Sequence, residues 1–162
     1  MTPFQVPLRE PVAPAAILVV DDDEVVARLL TQYLRHLGYA VLEATSGDQA
    51  LAIVQQRQPP IDLALIDAEL RGLGGMEGMV VATAVLAEWP GPQVVLVAGP
   101  LASAVESLKI HGRPVRVLRK PLDLDELQDV LRVMLPTLLP AEQCETVSPG
   151  AGPFAGDEAG IR

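Results

Sequence analysis

The chain is poor in cysteine and in aromatic residues. It has 162 residues, of which one is a cysteine, Cys144, and 3% are aromatic. A single cysteine excludes an intrachain disulfide and is compatible with a reducing compartment, so we expect a cytoplasmic protein. Because rings are scarce, the core must consist mainly of Val, Leu, Ile and Ala. The hydrophobic content of 49% is enough to form one.

The sequence also lacks long apolar runs and an excess of positive charge. No apolar stretch approaches the roughly 20 residues that a membrane-spanning helix needs. The N-terminus lacks the basic segment followed by an apolar one that is typical of a secretory signal. The net charge of -9 argues against binding nucleic acid or an anionic membrane by bulk electrostatics. We therefore expect neither nucleic acid nor a membrane among the partners.

Prolines divide the chain into three parts. Residues 1–14 carry Pro3, Pro7, Pro11 and Pro14, a spacing that disfavours helix and sheet and predicts an extended lead-in. Residues 136–162 are rich in proline and glycine and predict a flexible tail. The remaining residues, 15–135, have a common size for one compact domain.

Within that domain, apolar strand patterns alternate with helical ones. The patterns predict strands at 16–20, 40–44, 61–66, 94–97 and 115–118, and helices at about 24–37, 46–57, 76–89, 101–110 and from 124 onward. Ser46 with Gln49, and Asp123 with Glu126, are typical of helix starts, and Gly38 is placed to end the first helix. This alternation predicts an α/β fold with a doubly wound, five-stranded parallel sheet.

Acidic residues close two of the predicted strands. Asp21 and Asp22 follow the apolar run 17–20, and Asp67 closes the run 61–66. Because ligands bind at the carboxyl edge of such sheets, we expect these carboxylates to converge on one site. Clustered carboxylates repel one another unless a cation compensates, and hard oxygen ligands suit Mg²⁺. The sequence therefore predicts a metal-dependent acidic site, of a kind that can handle phosphate.

These residues, taken with three further stretches, resemble the receiver domain of bacterial two-component response regulators. The resemblance covers about residues 15–135. The residues that carry it are Ile17-Leu18-Val19-Val20-Asp21-Asp22-Asp23, then Asp67 followed by Leu70, Gly72, Gly75 and Met76, and then Lys120-Pro121.

The resemblance implies a flavodoxin-like (CheY-like) fold and phosphorylation of an aspartate. It implies that Asp67 is the phosphoacceptor and that Lys120 pairs first with Asp67 and later with the phosphoryl group. The implied Mg²⁺ ligands are Asp22 directly, Asp21 through water, Asp67, and the backbone carbonyl of Glu69. Family members often have a cis peptide at the position of Lys120-Pro121. The implied partner is a histidine kinase or a phosphotransfer protein, and no enzymatic activity beyond accepting the phosphoryl group is expected.

The chain departs from the family at the positions that move on activation. The family has Thr or Ser where this chain has Ala98, and an aromatic residue where it has Val117. Arg71 replaces the usual loop proline, Gly74 stands where an acidic residue is usual, and Glu69 adds a charge beside the acceptor. Ala98 cannot donate the hydroxyl hydrogen bond, which for a charged acceptor contributes about 1.5–3 kcal/mol. We therefore predict weak or altered switching on phosphorylation.

Three functional hypotheses remain open from the sequence. The first is a stand-alone receiver that accepts a phosphoryl group on Asp67 and signals by protein contact with a downstream partner that the sequence does not name. The second is a degenerate receiver that acts as a binding module independently of phosphate. The third is a phosphatase-like enzyme with an aspartyl nucleophile. The helix predicted at 76–89 has no charged residue from Gly78 to Ala87. This stretch could turn Ala and Thr outward, or it could form a contact with a second copy, a partner or the chain's own tail. Arg113, Arg116 and Arg119 are taken as solvated charges.

Overall fold

The computed structural model describes residues 13–56, 60–71, 77–88, 91–100 and 108–135. Its strands are β1 (Ala16–Val20), β2 (Ala40–Ala44), β3 (Leu63–Asp67), β4 (Gln93–Ala98), β5 (Leu108–Ile110) and β6 (Arg113–Arg119). Its helices are α1 (Glu24–His36), α2 (Gly47–Gln56), α3 (Glu77–Glu88) and α4 (Leu124–Met134). Residues 1–12 of the extended lead-in predicted at 1–14, and all of the flexible tail predicted at 136–162, lie outside the described residues.

The strands form one sheet in the order β2-β1-β3-β4-β6-β5. The pairs from β2 to β6 are all parallel, so the carboxyl ends of β1, β3, β4 and β6 lie along one edge. The register places Val20 opposite Ile66, and Asp67 opposite Val97. The predicted α/β fold with a doubly wound parallel sheet is therefore confirmed, and the parallel pairing brings the acidic strand ends together.

The sixth strand differs from the sequence prediction. A helix was predicted at about 101–110, but Leu108–Ile110 is strand β5, which pairs antiparallel with β6; residues 101–107 lie outside the described part of the chain. The two residues between the strands, His111 and Gly112, have φ angles of 50° and 76°. Two consecutive positive φ values are typical of a tight hairpin turn. The hairpin directs residues 108–110 back along β6 and makes them strand.

Two apolar layers cover the faces of the sheet. Side chains alternate along each strand, so that Leu18, Ile66 and Leu96 pack with α2 and α3, while Val19 and Leu65 pack with α1 and α4. All residues of β1 and β3 are buried, as expected for central parallel strands. The core of the described residues is aliphatic, as the scarcity of rings predicts, and Tyr39 is the aromatic residue that is buried in it.

Helix α3 buries one face. Val81, Ala82, Val85 and Leu86 are buried in the layer that α3 shares with α2 and the sheet. Val80 lies outside this face and is 56% exposed. Burial therefore accounts for the apolar residues of the inner face but not for the lack of charge on the outer one. The homodimer contact that the sequence left open stays a prediction.

Aspartates cap two of the helices, and of the residues involved Asp123 and Gly38 were predicted from the sequence. The side chain of Asp23 accepts hydrogen bonds from the amides of Val25 and Val26 at the start of α1, and Gly38, with φ of 92°, follows its last turn. Asp123 caps α4 in the same way, by accepting from the amides of Asp125 and Glu126. These caps fix where α1 leaves β1 and where α4 follows Lys120-Pro121, which positions the functional edge of the sheet.

Candidate functional site

The three predicted carboxylates meet at the carboxyl edge of the sheet. One oxygen each from Asp21, Asp22 and Asp67 lies within 4.8 Å of the other two. Asp21 and Asp67 are buried, and Asp22 is partly exposed. The oxygen-only donor set and its concentrated negative charge fit a hard divalent cation such as Mg²⁺. The predicted metal-binding role of these residues is therefore compatible with their geometry.

Asp67 is held at both of its carboxylate oxygens. Its Oδ1 accepts a 2.8 Å hydrogen bond from the backbone amide of Glu69, and its Oδ2 accepts one of 2.8 Å from Nζ of Lys120. The side chain is only 5% exposed. Two charge-assisted bonds fix the carboxylate at the end of β3 and offset the free energy of burying it.

Asp21 carries negative charge that the protein alone compensates incompletely. Its Oδ1 accepts a 2.9 Å hydrogen bond from the amide of Asp23. Burial raises the pKa of Asp21; the Asp23 amide lowers it, the charge of Asp67 raises it, and Lys120 lowers it again, so that the net result is a raised pKa. A cation bound among these carboxylates would stabilise the ionised form of Asp21.

The carboxylate of Asp22 is contacted by Arg71, an exposed residue that follows β3. The Arg71 backbone amide donates a 3.3 Å hydrogen bond to Oδ2 of Asp22, and its guanidinium Nε lies 3.6 Å from the same oxygen. Because proline has no amide hydrogen, the proline usual in the family could not make the first of these bonds. The Arg71 side chain is 94% exposed, so its ion pair contributes little to stability. Sequence reasoning noted Arg71 as a departure but missed its contact with the site.

Lys120 enters the site from the end of β6. Its backbone amide donates to the carbonyl of Ala98, and the Lys120-Pro121 peptide is cis, as the resemblance implies. Burial lowers the pKa of Lys120, but the hydrogen bonds and charges of Asp67 and Glu69 outweigh burial and raise it overall. The side chain is therefore an ammonium ion at neutral pH and a suitable partner for an incoming anion.

The Glu69 side chain turns toward Lys120. Its Oε2 lies 3.4 Å from Nζ of Lys120. Its carboxylate also lies against Gly99, where a Cβ atom would stand 2.5 Å from Oε1. Sequence reasoning noted this side chain only as an added charge beside the acceptor. It did not predict the ion pair with Lys120.

Ala98 and Val117 lie where the sequence places them. Ala98 ends β4 and is buried, and Val117 is half-buried in β6 opposite Leu96. Ala98 offers a methyl group at the edge of the site, and Val117 has no ring. The structure thus has neither a hydroxyl at position 98 nor a ring at position 117, and the assignment of these residues as altered switch positions stays a prediction.

An open groove of about 900 Å³ runs from the carboxylates along α1. Its apolar wall includes Val26, Leu29, Tyr33, Leu122 and Leu124. The helical periodicity of α1 groups Val26 with Leu30 and Leu34 on one apolar face, but Val26 is 39% exposed and lines the groove. Ala27 and Thr31 are buried in its place, because the face that packs on the sheet is rotated relative to the apolar pattern. The exposed apolar residues of α1 are the signal that could have predicted this groove.

None of the helices in the described ranges is both long and apolar enough to cross a membrane.

Comparison with known proteins gives consistent matches to one family and fold. The family model of the response regulator receiver domain matches residues 17–132. Sporulation initiation phosphotransferase F of Bacillus subtilis is 32% identical over 120 residues, which cover 74% of this chain and 93% of that protein. Transcriptional regulatory protein ZraR of Salmonella typhimurium is 36% identical over 121 residues, which cover 74% of this chain and 26% of ZraR. The chain therefore spans about a quarter of ZraR.

Solved structures show the same fold. The receiver domain of the hybrid histidine kinase CckA matches with a TM-score of 0.58 and 26% identity, covering 75% of this chain and 99% of that one. A response regulator receiver protein from Sinorhizobium medicae matches with a TM-score of 0.63 and 21% identity, covering 76% of this chain and 96% of that one. At 21% identity, the second likeness concerns the fold alone.

Proposed function

The chain belongs to the response regulator receiver domain family, and from this premise we propose that it accepts a phosphoryl group on Asp67 and signals by protein–protein contact. Receiver domains bind Mg²⁺ at an acidic pocket and interact with histidine kinases or phosphotransfer proteins. They are typically signalling modules without enzymatic activity of their own. The proposal assigns the site to Asp21, Asp22, Asp67, Lys120 and the backbone carbonyl of Glu69, and it places the protein in the cytoplasm.

The observation that carries the proposal is the double anchoring of Asp67. Lys120 and the Glu69 amide hold its two oxygens, and both flanking carboxylates, Asp21 and Asp22, are close enough to share a cation with it. Such a carboxylate is held in a fixed orientation, as a nucleophile requires. The wide groove beside it leaves room for a phosphoryl donor.

The reaction follows from these positions. A carboxylate oxygen of Asp67 forms a bond to phosphorus while the bond from phosphorus to the donor breaks. The electron pair of that bond leaves with the donor atom, an imidazole nitrogen of a phosphohistidine or the carboxylate oxygen of acetate when acetyl phosphate is the donor. Nζ of Lys120 can then donate hydrogen bonds to the phosphoryl oxygens. Bound Mg²⁺ would supply further positive charge for the transferring group, held by Asp21, Asp22, Asp67 and the Glu69 carbonyl.

The test is phosphoryl uptake from acetyl phosphate. We expect a Mg²⁺-dependent gain of one phosphoryl group in the intact mass of the wild-type protein and none in Asp67→Asn. Asp48→Asn, which changes an exposed carboxylate of α2, serves as the matched control and should be phosphorylated normally. A wild-type protein that binds Mg²⁺ but gains no phosphoryl group would contradict the proposal and favour the second candidate.

The second candidate is a binding module that does not depend on phosphate, and Ala98 and Val117 favour it. Shifting a two-state equilibrium from about 1:99 to 99:1 takes roughly 5.5 kcal/mol of differential stabilisation. Without a hydroxyl at position 98 and a ring at position 117, two of the usual contributions are missing. We therefore propose that any switching is altered in this protein.

The altered switching is tested by measuring affinity for a partner with and without a phosphoryl mimic. We expect a change smaller than about a hundredfold, which is far below the 10⁴-fold preference that a complete switch needs. A larger change would show that the switch works without the usual hydroxyl and ring.

A further inference from the structure

The carboxylate of Glu69 occupies a space that exists because residue 99 has no side chain. A Cβ atom on Gly99 would lie 2.5 Å from Oε1 of Glu69 and 3.1 Å from its Cδ and Oε2. From this position the other oxygen reaches Nζ of Lys120 at 3.4 Å. Glu69 is thereby held next to the phosphoacceptor.

This contact divides Lys120 between two carboxylates. Its ammonium donates to Asp67 at 2.8 Å and to Glu69 at 3.4 Å. A phosphoryl group arriving at Asp67 carries several negative oxygens and needs the same ammonium. Glu69 therefore competes for the cation and adds like charge beside the incoming group.

We propose that Glu69 is a tethered anionic competitor for Lys120 that slows phosphoryl acceptance by Asp67, and that Gly99 makes room for it. This inference rests on the proposed function of Asp67. Glu69 acts through Lys120, so it is a positioning residue whose side chain sets the rate, separately from the predicted role of its backbone carbonyl. The carboxylate lies beside residue 99, immediately after Ala98, where the family has a hydroxyl donor.

Gly99 allows the contact to be removed without removing the charge. The atoms that a Cβ at position 99 would meet belong to the end of the flexible Glu69 side chain and not to the backbone. Gly99 also has no positive φ that an alanine would resist. Gly99→Ala should therefore displace the Glu69 carboxylate from Lys120 and leave the surrounding chain in place, whereas Glu69→Gln removes the charge and keeps the backbone carbonyl.

The experiment measures the rate of uptake from acetyl phosphate at saturating Mg²⁺ for the wild type, Glu69→Gln, Gly99→Ala and the double variant. The side chains of Glu69 and Lys120 are 47% and 34% exposed, so we expect a moderate gain of roughly two- to fivefold in each single variant. The double variant should be no faster than Glu69→Gln, because both changes remove one interaction. The gain should shrink as salt is raised, since exposed charges are screened.

A readout independent of phosphorylation is the structure of Gly99→Ala. We expect the Glu69 carboxylate beyond hydrogen-bonding distance of Lys120. Persistence of the 3.4 Å contact in that variant, additive effects in the double variant, or uptake in Glu69→Gln no faster than in the wild type would each overturn the inference.

Failure of the inference can be told apart from failure of the proposed function. If the wild type accepts the phosphoryl group and Glu69→Gln does so at the same rate, only the role of Glu69 is wrong. If the wild type and all three variants bind Mg²⁺ but accept no phosphoryl group, the proposed function is wrong, and the inference about its rate is overturned with it.

Discussion

The Nζ atom of Lys120 lies 2.8 Å from Oδ2 of Asp67, so the cation that follows β6 is joined directly to the carboxylate that ends β3. Strand β4 lies between these two strands in the sheet. The bond therefore connects separate strands across the carboxyl edge. The ammonium of Lys120 neutralises part of the negative charge of the acidic cluster. It therefore competes with a bound cation for these carboxylates.

Replacing Lys120 should affect Mg²⁺ binding and phosphoryl uptake in opposite directions. In Lys120→Met the acidic cluster loses a competing cation, so Mg²⁺ should bind tighter by roughly fivefold, the upper range for a partly exposed charge pair. Phosphoryl uptake should fall by roughly a hundredfold, because a donor to the transferring group is lost. Isothermal titration with Mg²⁺ and the acetyl phosphate assay measure the two effects.

The control is Lys109→Met, which removes an exposed lysine of β5. It should change neither Mg²⁺ affinity nor uptake. If Lys120→Met lowered both quantities together, Lys120 would be acting as a structural support and not as a charge in the site.

Asp21 should lower stability at neutral pH when no metal is bound. Burial is the main cause of its raised pKa, so the folded state binds a proton at Asp21 more readily than the unfolded state does. Between the unfolded value of about 3.9 and the higher folded pKa, the free energy of unfolding therefore falls as pH rises. Asp21→Asn should be more stable than the wild type at neutral pH in EDTA, and this advantage should diminish as pH falls toward 4.

Mg²⁺ should reverse the order of stability, so that the wild type becomes more stable than Asp21→Asn. Mg²⁺ at about a hundred times its dissociation constant stabilises a folded protein by about 2.7 kcal/mol, and Asp21→Asn should gain much less than the wild type. Urea unfolding with EDTA and with Mg²⁺ measures both effects, and Asp129→Asn, which changes an exposed carboxylate of α4, is the control. Equal Mg²⁺ stabilisation of Asp21→Asn and wild type would exclude Asp21 from the metal site.

The acidic site could be predicted from the sequence because its residues are fixed by strand ends. Asp21 and Asp22 follow β1, Asp67 ends β3 and Lys120 follows β6, so the parallel sheet alone brings them to one edge. The capping role of Asp123 was predictable because it acts on amides only two and three residues away.

The remaining features depend on contacts between distant parts of the chain. Whether Leu108–Ile110 becomes helix or strand is decided by the turn at His111-Gly112 and by pairing with β6. The contacts of Glu69 with Lys120 and of Arg71 with Asp22 join loop side chains to other elements. Local sequence patterns do not indicate which distant residues such side chains contact.

The loop after the acceptor shows the same limit. Gly74 stands at the family's acidic position only if the loop has the usual number of residues after Asp67. In the structure Gly78 is the glycine that packs on the backbone of Asp67 and Ala68, and Glu77 precedes it. An acidic residue followed by a glycine thus also occurs later in the chain, at Glu77 and Gly78.

Gly78 should tolerate no side chain. A Cβ atom there would lie 2.1 Å from the carbonyl oxygen of Asp67 and 2.7 Å from Cα of Ala68, so backbone would have to move. Gly78→Ala should lower the free energy of unfolding by about 1–3 kcal/mol, although alanine normally favours helix. It should also slow phosphoryl uptake, because the backbone that would have to move includes that of Asp67, the phosphoacceptor.

Gly91→Ala is the matched control, since a Cβ atom at Gly91 meets nothing within 4 Å. It should be neutral or slightly stabilising in urea unfolding. Equal stabilities of the two variants would mean that the close approach of α3 to the acceptor strand is absent in solution.

Arg113 should stabilise the edge of the sheet, contrary to its interpretation as a solvated charge. It is half-buried at the start of β6, and its guanidinium donates hydrogen bonds to the carbonyls of Leu86 in α3 and Pro92 before β4. Arg113→Met removes a charged donor, so these partly buried carbonyls lose the hydrogen bonds from the guanidinium. The variant should therefore lower the free energy of unfolding by about 1.5 kcal/mol.

The control is Arg116→Met, which removes an exposed guanidinium from the same strand and should have little effect. Urea unfolding compares the two variants, and phosphoryl uptake should be unchanged in both, because Arg113 lies at the start of β6 and Lys120 follows its end. A loss of uptake in Arg113→Met without a loss of stability would contradict this structural role.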